Sequence, residues 1–351
     1  MKKVSIKDLA AITGTSATTV SFVLNGKAKE MRISAAITKK ILAAAKKHGY
    51  KPNQIAVSLR TGQSKIIGII VESIGGVFFG ALAKVIEAEA DKYGYRIVYC
   101  STENNLQKAK AMIQMLAYQQ VDGYIITPTS GMEKDIRELI ESKKPVVLMD
   151  GYFPGIDVPH VLVDNYDGVK QGIAKLAGMG YQKIGFITVD LDLIQIKERL
   201  RGYKETLKQH QLKADGKWIL KLGYDLSKED ALKAISRYLK DHPELEAVFF
   251  ATNYLGIRGL QAIVAAGLQI PGDLAVLSFD EHEIFDLYPP GITSIQQPIE
   301  AIAQTAMHLL LTGLGKKAEP LDKDKIELPP TLIERGSTFV NRSKTINSKN
   351  K

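Results

Sequence analysis

From Ile66 onward the chain alternates short aliphatic runs (IIGIIV, YRIVYC, GYIIT, PVVLMD, KIGFITV, EAVFFAT and LAVLSFD) with amphipathic stretches such as ALAKVIEAEADKYG and GIRGLQAIVAAG. A run of four to seven aliphatics is too short for a buried helix and suits a strand covered on both faces. Strand and helix in strict alternation demand parallel sheets with crossover connections. The pattern echoes itself: KYGYRIVYCST and GMGYQKIGFITV each close a helix with Gly-Tyr and enter a strand. Two similar α/β lobes follow, with a cleft at the C-terminal ends of their strands. At roughly 150 residues per domain, 351 residues accommodate these lobes and one further small unit.

An α/β fold by itself does not separate catalysis from binding. No GxGxxG follows a strand, and GxxxxGK[ST], GxSxG and HExxH are absent. The glycines of Gly75-Gly76-Val77-Phe78-Phe79-Gly80 have the wrong spacing for a phosphate loop. Asp280-Glu281-His282-Glu283 offers metal-ligand chemistry, but adjacent donors without a partner site read more simply as a polar loop. We therefore expect neither an enzyme nor a cofactor or metal. A lone cysteine, Cys100, cannot form an internal disulfide and fits a reducing compartment. No apolar stretch approaches the ~20 residues that span a bilayer. Lys7 and Asp8 interrupt any apolar core of a leader, so a cytoplasmic location, associated with the nucleoid, is expected.

The charge is segregated. The first 65 residues hold thirteen Lys/Arg against Asp8 and Glu30, a net of +11, while the whole chain carries only +9. A basic head on a nearly neutral body is the footprint of a nucleic-acid module, although charge alone also permits a solvated surface. Three short helices fit this head. IKDLAAIT places Ile6, Leu9, Ala10 and Thr13 on one face. ATTVSFVLN turns Val20, Val23 and Leu24 inward and leaves Ala17, Thr18, Ser21 and Phe22 on another face. ITKKILAAAKKH, starting after Ser34, points Ile37, Ile41, Leu42 and Ala45 inward. Ala10, Gly14 and Val20 meet the demands of a helix-turn-helix: a small residue at the helix contact, a glycine in the turn, and an aliphatic inside the second helix. Small Ala17, Thr18 and Ser21 can approach base edges, and the methyls of Ala17 or Thr18 suit a thymine methyl. Phe22 either meets an apolar base edge or packs on the third helix.

The link YKPNQIAVSLRTGQSK holds about two helical turns, too few to persist alone in water. SIKDLAAITGTSATTVSFVLNG, followed by HGYKPNQIAVSLRTGQSKIIGIIV, resembles the lactose-repressor (LacI/GalR) family of bacterial transcription regulators. The similarity extends to LIERGST near the end of the chain. It implies an all-α helix-turn-helix head on a two-lobed, periplasmic-binding-protein-like body of parallel sheets flanked by helices, with three chain crossings. The expected divisions are 1–50 for the head, 51–65 for the hinge helix and linker, 66–340 for the effector-binding and dimerisation body, and 341–351 for a disordered tail. In that family the segment matching Asn53–Leu59 enters the minor groove, and Leu59 occupies the position of the wedging leucine. Candidate DNA contacts are Ser5, Thr15, Ser16, Ala17, Thr18, Thr19, Ser21, Phe22, Asn25, Lys27, Arg32, Tyr50, Asn53, Ala56, Leu59 and Arg60. Two departures stand out. Phe22 stands where the family often has arginine, and NGKAKEMRIS is longer than the usual link, adding Lys27, Lys29 and Arg32.

Eight body residues are candidates for an effector. Phe78 and Phe79 follow the first strand and either stack on a ligand ring or pack at a helix start. Arg199, in KERLRGY, is similar to the family's Arg-x-x-Gly-Tyr, whose arginine offers a fork of donors. Asp280 matches its ligand-binding aspartate and Asn253 its Asn-Asp pair, with Tyr254 replacing the aspartate. Asp150, Asp164 and Tyr224 match less closely, and for Asp164 a structural cap is the simpler reading. Carboxylates, an arginine and aromatics suit a sugar or sugar derivative. The resemblance thus implies a homodimeric, ligand-responsive repressor of carbohydrate-utilisation genes on a pseudo-palindromic operator of double-stranded DNA. An activator or corepressor-dependent regulator is the alternative within the family, and a solute-binding protein the alternative outside it.

Overall fold

The structure is a computed structural model that describes residues 4–51, 57–58, 61–316 and 321–339. The chain divides into two compact units, Met1–Ser64 and Lys65–Lys351. Asn53, Ala56, Leu59 and Arg60 of the expected hinge, and the tail beyond 339, lie outside the described residues.

The smaller unit contains α1 (Ile6–Thr13), α2 (Ala17–Leu24) and α3 (Ala35–Lys47). Each begins on a serine whose hydroxyl accepts a backbone N–H of the first turn: Ser5 from Asp8, Ser16 from Thr19, Ser34 from Ile37. Asp8 reaches back to the Ser5 N–H and completes a capping box. Gly14 ends α1 in the left-handed region at φ 66°, which an L side chain resists. Leu9, Ala10, Val20, Val23, Ile41 and Ala45 form the core. The predicted inward face of α3 is only half right, because Ile37 and Leu42 are 37% and 49% exposed. Two eight-residue helices are too short to cover both faces of a thirteen-residue partner.

The larger unit has two sheets. Its strands are β1 (Ile66–Val71), β2 (Arg96–Ser101), β3 (Gly123–Ile126), β4 (Val146–Met149), β5 (His160–Val163), β6 (Ile184–Val189), β7 (Ile219–Leu222), β8 (Ala247–Phe250), β9 (Ala275–Phe279), β10 (Thr293–Gln296), β11 (Lys325–Leu328) and β12 (Thr331–Ile333). The first sheet runs β11-β5-β4-β3-β1-β2 and the second β12-β10-β9-β8-β6-β7, the same order position for position. The first is all parallel, and the second is parallel except at its edge, where β12 pairs antiparallel with β10. The chain passes between the lobes three times: after β5, after β10, and between β11 and β12. The helix after β10, Ile299–Gly313, returns to the first lobe and seats Ile302, Ala306 and Leu310 against its core. Each sheet carries apolar clusters on both faces, which is why its central strands read as unbroken aliphatic runs. Among the described residues no helix is long and apolar enough to cross a membrane.

Candidate functional site

The helix-turn-helix unit spends many of its small hydroxyls on its own geometry. Thr13 and Thr15 bridge the turn by their hydroxyls at 2.9 Å, and Ser16 and Thr19 pair at 2.8 Å. Asn25, the C-cap of α2, donates to the Ser21 carbonyl at 2.6 Å. Thr18 is exposed, and Ala17, Ser21 and Phe22 are half-buried. Phe22 does not belong to the apolar core of this unit, whereas Ala17 and Tyr50 pack against it. The NGKAKEMRIS insertion is an ordered turn: Ala28 and Ile33 lean on the core, while Lys27, Lys29 and Arg32 are exposed. α2 thus offers an uncharged, small-residue surface with basic side chains after it.

In the larger unit a cleft forms at the C-terminal ends of both sheets, as the topology requires. Its lining includes Glu72 after β1, Asp150 after β4, Thr252 and Asn253 after β8, Asp280 after β9 and Gln297 after β10. Asp150 and Asp280 follow equivalent strands of the two lobes, and both adopt the left-handed region, at φ 64° and 67°. Such backbone is uncommon outside glycine, best tolerated by Asp and Asn, and concentrated at functional sites.

Arg199 joins these parts. It lies on the helix Ile194–Gln209 and is 3% exposed. Its Nε donates to Asn165 Oδ1 at 2.7 Å, and its Nη1 to the Ala251 carbonyl at 2.6 Å and Asp280 Oδ2 at 3.5 Å. The guanidinium lies 3.7 Å from the centroid of the Phe279 ring. The rest of the Arg-x-x-Gly-Tyr sequence explains how the arginine is held. A Cβ on Gly202 would meet the Tyr166 carbonyl at 2.7 Å, so only glycine lets this helix lie so close to Asn165–Gly178. Tyr203 is fully buried and donates to the Ile184 carbonyl at 2.7 Å. Asp280 is steadied from its other side by Gln297, whose Nε2 donates at 2.6 Å.

The electrostatics are those of crowded acids. Burial pushes Asp150 up to about 7, against the pull of Arg199 and with further push from Asp280 and Glu72. Burial likewise raises Glu72, against the pull of neighbouring Tyr224 and Asn104. Tyr224 belongs to the second lobe and Glu72 and Glu103 to the first, and its hydroxyl stands 3.4 Å from Glu103 Oε2. Tyr224 therefore spans the lobes at the edge of the cleft.

Of the eight residues proposed from sequence, Phe78, Phe79, Asp150, Arg199, Asn253 and Asp280 line the cleft. Phe79 is also core, 7% exposed, and Phe78 meets it edge-on at 5.0 Å. Asp164 is the correction: its carboxylate caps the helix Asn165–Gly178, accepting the Asp167 N–H at 2.8 Å, and it does not line the cleft. Its neighbour Asn165 makes the contact to Arg199 instead. Glu72, Gln195 and Gln297 were missed. Glu72 directly follows the aliphatic run IIGIIV, as Asp150 follows VVLM and Asp280 follows LAVLSF, so its strand-end position is legible in the sequence. Gln297 follows β10, a strand too short and polar to stand out. The polar loop Asp280–Glu283 splits into separate tasks: Glu281 pairs with Arg335 at 3.0 Å and with Ser294, and His282 caps the helix Glu283–Leu287.

A three-helix DNA-reading unit followed by a two-lobed clamshell defines a class, the ligand-responsive transcription regulators. Residues 5–53 match the family described as "Bacterial regulatory proteins, lacI family", and residues 173–338 match the "Periplasmic binding protein-like domain". The chain is 29% identical over 337 residues to the HTH-type transcriptional repressor PurR of Aliivibrio salmonicida, covering 95% of this chain and 98% of that one. It is 28% identical to the ribose operon repressor of Halalkalibacterium halodurans, with 95% and 97% covered, and 28% identical to the catabolite control protein A of Priestia megaterium, with 95% and 99% covered. Among solved structures it superposes on the lac repressor dimer bound to operator and the anti-inducer ONPF with a TM-score of 0.84, at 25% identity, covering 97% of this chain and 100% of that one. The chain thus carries a lacI-family helix-turn-helix domain and a periplasmic-binding-protein-like domain, the two parts found together in the lac repressor that it superposes on. The relatives named here are transcription regulators and not enzymes.

Proposed function

We propose that this protein is a cytoplasmic, nucleoid-associated homodimer that represses carbohydrate-utilisation genes from a pseudo-palindromic operator and answers to a small hydroxylated effector. The observation that carries the effector reading is the cleft, where Asp150, Asp280 and Gln297 converge from strand ends of both lobes on Arg199 of the helix Ile194–Gln209. Each subunit offers α2 to the major groove of one half-site, with Thr18, Ala17, Ser21 and Phe22 nearest the bases. Ser5, Thr15, Ser16, Thr19, Asn25 and Tyr50 hold backbone register, and Lys27 and Arg32 neutralise phosphates. Asn53, Ala56, Leu59 and Arg60 serve the minor groove, Leu59 as the wedge. An effector that favours one lobe angle over another shifts the dimer between binding-competent and incompetent states.

The test is a gel-shift titration of the full chain against genomic fragments, repeated with a sugar panel. A selected fragment should be bound in a salt-sensitive way, and one sugar should change its affinity. Leu59→Ala should weaken that fragment far more than random duplex; equal loss on both removes the wedge role. Failure to prefer any fragment, with or without sugars, removes the whole reading.

A further inference from the structure

Within the effector reading above, on which this inference rests, the cleft has an imbalance that a neutral sugar leaves standing. Glu72, Asp150 and Asp280 bring three carboxyl groups to one guanidinium, Arg199. That guanidinium is largely engaged by the protein, donating at 2.7 Å to Asn165 and at 2.6 Å to the Ala251 carbonyl, with only a 3.5 Å contact left for Asp280. The amides add to the surplus of acceptors. Gln195 and Gln297 are 7% and 5% exposed, both line the cleft, and the Oε1 of each has no hydrogen-bond partner. Buried oxygens of this kind are costly unless something donates to them. Aromatic faces complete the lining: Phe78 and Tyr254 stand beside the acids, and the negative face of a ring attracts a cation.

We infer that the effector carries a protonated amine on a hydroxylated ring, as an amino sugar does, with the ammonium among Glu72, Asp150 and Asp280 and the hydroxyls donating to Gln195 and Gln297. The ammonium supplies a donor and a countercharge to three crowded carboxyl groups, which a neutral sugar does not. An anionic sugar, phosphate or uronate, meets three carboxyls and is excluded. Glu72 is the discriminating residue, because it adds a third carboxyl group to a cleft with one guanidinium.

The experiment uses the full chain and calorimetric titration with D-glucosamine, D-galactosamine and D-mannosamine. D-glucose, D-galactose, D-mannose and glucosamine 6-phosphate are the controls. At least one amine should bind ten-fold or more tightly than its neutral counterpart, and the phosphate should not bind. Glu72→Gln, nearly isosteric, should remove most of that preference while salt-sensitive DNA binding persists. Equal or tighter binding of the neutral hexose, binding of the phosphate, or no heat with any of the three amines overturns the inference. Gel shifts on the same preparation keep the two failures apart: intact fragment preference with no amine binding sinks the amine and spares the regulator.

Discussion

Asp150 and Asp280 close equivalent strands of the two lobes in the same left-handed conformation, yet their surroundings differ. Asp280 has Gln297 and Arg199 as partners, whereas Asp150 faces Glu72 and Asp280 and is pushed up to about 7. A carboxyl raised in the native state keeps a proton that the unfolded chain surrenders near pH 4. Its contribution to stability is therefore present at low pH and is lost as pH climbs from about 4 through 7. Asp150→Asn should raise the melting temperature of the full chain at pH 8, by an amount equivalent to about 4 kcal/mol, and change it far less at pH 4.5. Equal effects at both pH values, read by scanning calorimetry, would contradict the environment assigned to this carboxyl. Arg199→Ala strands Asn165 Oδ1 and the Ala251 carbonyl in the protein interior. The body should lose about 3 kcal/mol, and effector response should vanish while the head still binds DNA. Arg199→Lys should not restore the response, since one ammonium cannot reproduce the fork. A Lys variant with wild-type effector titration would count against this role.

At the level of elements, two helices and three serines repay attention. Helices Asn165–Gly178 and Ile194–Gln209 touch through Gly202, and their approach sets where Arg199 points. Gly202→Ala brings a methyl to 2.7 Å from the Tyr166 carbonyl. It should therefore weaken effector binding by displacing the arginine without touching the cleft; unchanged affinity and melting temperature would show that the helices can part freely. In the head, Ser16→Ala removes the cap of α2 and should cost about 1 kcal/mol. Phe22→Ala should change operator affinity with little change in melting temperature, because the ring lies outside the head core. The reverse pattern, a lower melting temperature with unchanged affinity, would make Phe22 a packing residue. The elements differ in how much of them the sequence revealed. α1 and α2 were legible nearly to the residue, since serine caps, Gly14 and Asn25 mark their ends chemically. The seven long aliphatic runs all became strands. β5, β7, β10, β11 and β12 were not read, because three or four residues, half-exposed or polar at one edge, carry too little pattern.

For the molecule as a whole, the segregation of charge predicts the response to salt. If Lys27 and Arg32 contact phosphates, Lys27→Ala should reduce the slope of log affinity against log salt by about 1 and weaken all sequences alike. A loss confined to one operator would assign Lys27 to base reading.

The amino-acid order alone determined the two-part plan, the head helices, the doubled strand–helix pattern and the strand-end acids Asp150 and Asp280. Each of these is written in local chemistry: caps, periodicity, charge blocks and turn residues. Only the tertiary structure decided that Asp164 is a helix cap and Asn165 the partner of Arg199, that Tyr224 reaches across to Glu103, and that Glu72 and Gln297 face the same space as Arg199. Those relations join residues up to 225 positions apart, from Glu72 to Gln297. They follow from the return of the chain between the lobes, which no local pattern encodes.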